Sequence, residues 1–219
     1  VEGGAEGLLS EARIHRLAAG MSAPAGRKAP GGRRREGDTV YLTAADAAGM
    51  MISFIQSNYY DFGSGLVVPG TGISLHSRAA CFSLERGHAN EVAGGKRPFH
   101  TLCPAFATAN GRPVMSFGVM GGHMQPQGHV QTFLRVCAHR QNPQAACDAP
   151  RWHMAADGSV LLEAGFSART VAGVQSSFPG AQVLPYGDPT FGGGQFALVL
   201  PSGYCGASDP RKDGLVAAM

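Results

Sequence analysis

Two short apolar runs, Val40–Ala45 and Met50–Ser57, are separated by Asp46-Ala47-Ala48-Gly49. Their β-branched and aromatic residues favour strands, and Gly49 supplies the positive φ of a turn, so a β-hairpin is expected. Hairpin register returns the end of the second strand to the start of the first. Gln56, Ser57 and Asn58 are therefore expected beside Thr39. Ala105–Ala109 and Val114–Val119 flank Asn110-Gly111 and predict a second hairpin. Beyond Gly121-Gly122-His123, Val130, Phe133, Leu134 and Cys137 recur at helical spacing, with Pro126 suited to a first turn, and predict a helix to about His139. Further helices are expected over Leu8–Ala19, with Leu9, Ile14, Leu17 and Ala18 on one face, over Pro143–Ala149 and over Ala168–Ser176. Strands are expected at Val160–Glu163, within Phe178–Pro185 and at Gln195–Leu200. Ile73–Phe82 reads as strand and loop, Leu84–Gly95 as loop, and Gly203–Arg211 as a turn-rich tail.

The pattern breaks between Gly20 and Gly37, where Pro24, Gly26, Pro30, Gly31 and Gly32 mix with Arg27, Lys28, Arg33, Arg34 and Arg35. Such a stretch is a solvated linker. A strand then begins at once on Thr39. The 219 residues suit one domain or one domain with a tail, and 44% hydrophobic against 15% charged residues indicates a globular chain. Residues 1–38 hold seven Lys/Arg and five Asp/Glu, and residues 39–219 hold eleven and ten, so the net +3 is uneven, +2 in the first stretch and +1 in the second, which is close to neutral. Nothing here calls for a nucleic-acid or membrane partner; the arginine triplet lacks an aromatic platform, and no run reaches the roughly 18 apolar residues of a spanning helix. Cys81, Cys103, Cys137, Cys147 and Cys205 are odd in number and widely spaced, without C-x-x-C or zinc spacing. They suit a reducing, cytoplasmic compartment. The first residue, Val1, need not be the natural start, so a periplasmic or secreted location stays open.

Thr39 has two readings. It is an ordinary β-branched residue opening a strand, or a nucleophile masked by the peptide bond before it, whose hydroxyl gains a base when its own α-amine is freed. Gly121-Gly122 likewise is a plain tight turn, or a pair of backbone N–H groups at a positive helix end that suits an oxyanion. There is no G-x-S-x-G elbow, no H-E-x-x-H and no completed nucleotide-binding glycine loop. His123 and His129 lie six apart, on different helix faces. No metal or cofactor is expected.

Six stretches in order resemble the gamma-glutamyltransferase family of N-terminal nucleophile (Ntn) hydrolases. They are Gly37-Asp38-Thr39-Val40-Tyr41, Ile55-Gln56-Ser57-Asn58-Tyr59 with Phe62-Gly63-Ser64-Gly65, Lys96-Arg97-Pro98, Gly118-Val119-Met120-Gly121-Gly122-His123 with Gln125, Asn142 to Arg151, and Gly206-Ala207-Ser208-Asp209-Pro210-Arg211. The resemblance covers about residues 36–219. It implies an α+β fold, the αββα four-layer sandwich with two antiparallel sheets shared by a large and a small subunit. Residues 39–219 would be the small, nucleophile-bearing subunit, and residues 1–38 the large subunit's tail and linker. It also implies a proenzyme cut at Asp38–Thr39, the remaining large subunit as partner, Thr39 as nucleophile with its α-amine as base, Ser57 hydrogen-bonding beside it, and Gly121 and Gly122 as oxyanion donors. The reaction implied is hydrolysis or transfer of γ-glutamyl amides such as glutathione.

The positions that read the substrate depart from the family pattern. Tyr59, Arg78 and Cys81 stand where the resemblance implies an asparagine, a glutamine and an acid, and His100 and Thr101 where it implies two serines. These departures resemble the cephalosporin acylase-like subgroup and point to a diacid monoamide as the alternative substrate. Arg78 is then either a carboxylate partner or a structural arginine. A third expectation is that the chain is a truncated, inactive piece that only binds.

Overall fold

The computed structural model describes residues 10–20 and 39–218. Helix α1 spans Glu11–Gly20, and the expected start at Leu8 and the linker lie outside the described residues. Strands β1 (Thr39–Ala45) and β2 (Met51–Ser57) form the expected antiparallel ribbon, with Thr39 opposite Ser57 and Ala45 opposite Met51. Its turn is fixed locally. The Asp46 carboxylate accepts the Ala48 and Met50 N–H groups, each at 2.9 Å, and Gly49 takes φ +89°.

The ribbon packs on a four-stranded sheet of order β3-β4-β8-β9, all antiparallel. These strands are β3 (Ala105–Ala109), β4 (Arg112–Met120), β8 (Gly193–Leu200) and β9 (Gly203–Ser208). β4 is buried continuously from Met115 to Met120 because both of its faces are covered. Ser116, Gly118 and Met120 face the ribbon: Thr43 and Ser116 share a hydrogen bond, the Tyr41 ring lies against Gly118, and the Tyr41 N–H points at Met120 Sδ, 3.2 Å away. Phe117 and Val119 face the opposite way, onto helix α2 (Met124–Phe133), where Val119 fills the space a Cβ on Gly128 would need. Phe117 also stacks on Phe196, with ring centroids 5.8 Å apart. Together with Met115, Val136, Ala146, Cys147 and Ala207 these two rings form the core beneath α2 and α3 (Pro143–Asp148). Layering is therefore ribbon, sheet, helices.

A second, smaller sheet has the order β5-β6-β7, with β5 (Trp152–Met154) antiparallel to β6 (Val160–Glu163) and β6 parallel to β7 (Gln182–Leu184). Helix α4 (Ala168–Ser177) makes the crossover that parallel neighbours require.

The observed structure corrects four expectations. Gly203–Ser208 is a strand: the whole stretch pairs with β8, register running from Leu200↔Gly203 to Gln195↔Ser208. Ile73–Phe82 is not a strand. One isolated bridge, Val67↔Ser74, and a 3-10 turn at Arg78–Cys81 replace it, because its backbone groups bond back onto the glycine-rich loop before it, as in Leu75 N–H to Leu66 O at 2.9 Å. Trp152–Met154 is a strand that its three residues did not announce. Helix α2 continues as a π-helical stretch over Leu134–Ala138, but Val130, Phe133 and Leu134 are exposed. Its buried face carries Gln125, His129, Gln131 and Thr132. Those polar residues are tolerated because each makes at least one hydrogen bond, although Gln125 Nε2 has no partner: Gln125 Oε1 accepts from Cys103 N–H at 3.1 Å, and Gln131 exchanges bonds with the Trp152 backbone at 2.9 and 3.0 Å.

Candidate active site

Thr39 stands at the head of β1 on the ribbon's inner face, and its Oγ1 hydroxyl donates to Ser57 Oγ at 3.1 Å. Tyr59 N–H donates to the same Ser57 oxygen at 2.9 Å. Two donors then fill Ser57's acceptor positions and hold the Thr39 side chain in one rotamer, while the lone pairs of Thr39 Oγ1 stay available.

The sheet beneath places a second feature. Thr43 meets Ser116, and Tyr41 meets Gly118 and Met120. Each two-residue step back along β1 matches a two-residue step forward along β4, so Thr39 falls over Met120, the residue before the next turn. That turn is Gly121-Gly122, with φ of +126° and +56°. Their carbonyls accept from Met124 and Gln125 at 3.0 and 3.1 Å and start α2. The glycine N–H groups therefore lie at the positive end of a ten-residue helix, outside its own ladder.

The turn is braced from behind. A Cβ on Gly121 would come 2.9 Å from the Gly192 Cα, and one on Gly192, at φ +68°, would strike the Met120 carbonyl. The loop carrying Gly192 is tied to a buried ion-pair network. Arg151 Nη1 donates to Phe191 O at 3.1 Å, and Arg151 Nη2 pairs with Asp209 Oδ2 at 2.5 Å. Asp209 Oδ2 also accepts Gly194 N–H at 2.9 Å, and Arg211 joins Asp209 (3.0 Å) to Glu163 (2.6 Å). Burial pushes the Asp209 carboxyl up, but the charges of Arg151 and Arg211 and their hydrogen bonds outweigh it and hold it below the ordinary range. Sequence reasoning noted the stretches holding Arg151, Asp209 and Arg211 without a role for them. Glu163 and Gly192, far off in sequence, had no signal at all.

Among the residues expected to read a substrate, Tyr59, Arg78 and Cys81 come together beside Ser57. Arg78 Cζ lies 5.3 Å from the centroid of the Tyr59 ring. Burial, then hydrogen bonds with Tyr60 and Cys81, push the Tyr59 phenol up, so it stays protonated at neutral pH. Cys81 O accepts from Asn90 Nδ2 at 2.5 Å, and Asn90 Oδ1 accepts Phe99 N–H at 2.9 Å. His100, exposed, and Thr101, buried, follow Phe99 and are joined to the cluster through Asn90, which sequence reasoning missed. Asp38 lies outside the described residues. At the Thr39 end of the ribbon a shallow depression is lined by Val40, Gln56, Ser57, Asn58 and Asp61.

The family model for gamma-glutamyltranspeptidase matches residues 1–219. The chain belongs to the gamma-glutamyltranspeptidase family. It is 38% identical over 187 residues to the oxamate amidohydrolase proenzyme of Klebsiella pneumoniae, covering 83% of this chain and 35% of that protein. The cephalosporin acylase structure from Bacillus halodurans superposes with a TM-score of 0.77 at 45% identity, over 82% of this chain and 34% of that one. The gamma-glutamyltranspeptidase structure from Pseudomonas nitroreducens shares the fold at 23% identity, with a TM-score of 0.71 over 82% of this chain and 98% of that one. The chain thus spans about a third of the length of the curated relatives it matches most fully. Its fold is α+β, shared with the Ntn-hydrolase structures of the cephalosporin acylase and gamma-glutamyltranspeptidase. Relatives named as proenzymes include glutathione hydrolases and acylases, which makes this a family of amide-cleaving enzymes.

Proposed function

We infer that the chain is the nucleophile-bearing part of a self-processing amidohydrolase or acyltransferase, in which Thr39 is the acyl acceptor. The observation that carries this is the Thr39 hydroxyl held by Ser57 at the head of a strand that packs on β4, whose end opens the Gly121-Gly122 turn at a helix N-terminus. In maturation Thr39 Oγ1 attacks the Asp38 carbonyl, the Asp38–Thr39 C–N bond breaks to leave an ester, and water hydrolyses it. The α-amine so freed then takes the proton of Oγ1 as the hydroxyl attacks a substrate amide. That proton passes to the leaving amine, and the acyl-enzyme ester goes on to water or to an acceptor amine. The N–H groups of Gly121 and Gly122 face the developing oxyanion, where loss of one such donor typically costs ~10²–10³ in rate.

On this reading residues 39–219 are the small subunit, residues 1–38 end the large one, and the rest of the large subunit is the partner. The ribbon's outer face supports a partner: Val40, Leu42, Ile52 and Phe54 are all exposed on it.

γ-Glutamyl amides are the first substrate reading, following the relatives named glutathione hydrolase. Amides of acids without an α-amino group are the second. It is favoured by Tyr59, Arg78 and Cys81, a phenol, a guanidinium and a thiol, which between them supply a cation and no carboxylate, although Asp61 lines the depression at Ser57. Oxamate, named in one relative, is an amide whose acyl part ends in a carboxylate.

The test uses the full-length proenzyme. Mass spectrometry is expected to find a cut between Asp38 and Thr39, and Thr39→Ala is expected to stay uncut and inactive on amide substrates. A Thr39→Ala protein that still splits there and still turns over anilides would falsify the reading.

A further inference from the structure

A turn in which a side chain accepts the backbone N–H two residues on is common in loops, and an oxygen usually does the accepting. Asn142 closes one on Gln144 N–H at 2.9 Å, Ser64 one on Leu66 N–H at 3.2 Å and Ser83 one on Glu85 N–H at 3.1 Å. Between β2 and β3 a histidine takes that place three times. His76 Nδ1 accepts Arg78 N–H at 3.2 Å, His88 Nδ1 accepts Asn90 N–H at 2.9 Å, and His100 Nδ1 accepts Leu102 N–H at 3.2 Å. An imidazole nitrogen accepts only while it carries no proton, and the imidazolium is a donor at both nitrogens. Asparagine and serine have no such condition. All three histidines are exposed, so a proton reaches them from solvent.

These turns are the joints of one wall of the candidate site. The first opens the Arg78–Cys81 turn. Ser77 N–H there donates to Asn58 O at 2.9 Å, which ties the turn to the residue after Ser57, and Arg78 lies over the Tyr59 ring. The second sets Asn90, whose Nδ2 donates to Cys81 O at 2.5 Å and whose Oδ1 accepts Phe99 N–H at 2.9 Å. The third brackets Thr101, which is buried, and hands the chain to Cys103, whose N–H reaches Gln125 Oε1 at 3.1 Å in the first turn of α2. The wall thus runs from Ser57, which holds the Thr39 hydroxyl, to the helix that the glycine turn opens. Charged and titratable neighbours are few. Arg78 follows His76. Glu91, on Gly87 N–H at 2.8 Å, and Lys96, on Ala89 O at 2.8 Å, flank His88. Phe99, next to His100, stacks on His123. No ion pair among the described residues includes any of the three histidines.

We propose that His76, His88 and His100 are positioning residues that hold this wall in shape for the acyl group only while they are unprotonated, so that acid loosens substrate binding. The assignment rests on Thr39 being the acyl acceptor. A proton taken up at Nδ1 sets a donor against the N–H it used to accept, so the bond is lost and the ring turns to water. The contribution of each turn is therefore present while the ring is neutral and is lost as pH falls through the range in which histidine changes charge. The freed α-amine of Thr39 also gains a proton in acid, but it serves the attack and acts on kcat. The wall acts on KM.

The test uses the full-length, processed enzyme and whichever of γ-glutamyl and glutaryl p-nitroanilide it turns over faster. From about pH 8 to about pH 5.5 the wild-type KM is expected to rise roughly 3- to 10-fold. Asparagine offers the same acceptor with no proton to gain. With His76→Asn and His88→Asn combined, only His100 still titrates, and KM is expected to rise by no more than about 2-fold. The matching double alanine variant is expected to show a raised KM already at the upper pH. A wild-type KM that does not move, or an asparagine variant whose KM climbs as far as the wild type's, overturns the proposal. Should the variants fail to fold, hydrogen exchange on the wild type decides. After correction for the intrinsic rate, the Arg78, Asn90 and Leu102 amides are expected to lose protection in acid while those of Leu66, Glu85 and Gln144 keep theirs. Equal changes in the two sets would count against the proposal. Exchange reads the turns whether or not Thr39 is the nucleophile. Turnover of the anilide by Thr39→Ala would sink the nucleophile, and the exchange result would stand.

Discussion

Replacing Asp209 by alanine removes the carboxylate at the centre of the buried ion-pair network. Asp209 is 1% exposed and accepts from Arg151 Nη2 (2.5 Å), Gly194 N (2.9 Å), Arg211 N (2.9 Å) and Arg211 Nη1 (3.0 Å). Arg211 keeps Glu163, at 2.7 and 2.6 Å, so its charge stays compensated. Arg151 does not; only carbonyls remain to it. Removing one partner of a buried pair costs about 3–5 kcal/mol, and the surviving Glu163 contact places this case in the lower half of that range. With a urea slope of about 3 kcal/mol/M the unfolding midpoint of the processed enzyme falls by about 1 M. Hydrogen exchange at Gly192–Gly194 quickens, because their brace is gone. The pH dependence follows from the direction of the Asp209 shift. Its folded pKa is depressed below 3.8, so its contribution is present above 3.8 and is lost as pH falls through the folded value. The gap between wild type and Asp209→Ala should therefore close in acid. A variant within about 1 kcal/mol of wild type at pH 7, or a gap unchanged at low pH, would refute the reasoning.

Two further outcomes are expected. Gly118→Ala puts a Cβ 2.6 Å from the Tyr41 ring, so a calorimetric melt should show a loss of about 1–3 kcal/mol, with slower cutting at Thr39 as the ribbon lifts; an unchanged melt would mean that the ribbon does not pack as described. Ser57→Ala removes the acceptor of the Thr39 hydroxyl and should slow both cutting and turnover up to about 10-fold, with Ser57→Thr restoring them. If the two variants behave alike, the Ser57 hydroxyl has no such role.

The ribbon of β1 and β2 was legible because its causes are local. Strand formers flank Asp46 and Gly49, and period-two geometry then sets Thr39 opposite Ser57. The glycine turn before α2 was legible for the same reason, as was the Asn110-Gly111 hairpin. Helix α2 shows where local pattern stops. Spacing picked out Val130, Phe133 and Leu134, yet the buried face holds Gln125, His129 and Gln131, because backbone groups of Cys103 and Trp152, remote in sequence, satisfy them. The Gly203–Ser208 strand was hidden likewise, since a glycine-rich run becomes a strand only when β8 lies beside it.

The candidate site divides along the same line. The order of residues determined that a threonine would open a strand after a linker, with Ser57 returned to its side and two glycines starting a helix. The tertiary structure alone decided that the end of β4, where the glycine turn begins, packs under the first residues of β1, that Asp209 and Arg151 brace that turn through Gly192, and that Arg78 is buried over Tyr59. Turns and pairings of near neighbours are dictated by short-range sterics and hydrogen bonds, which each stretch carries with it. Burial of a charge, or a contact between residues 58 positions apart such as Arg151 and Asp209, exists only once the layers have packed.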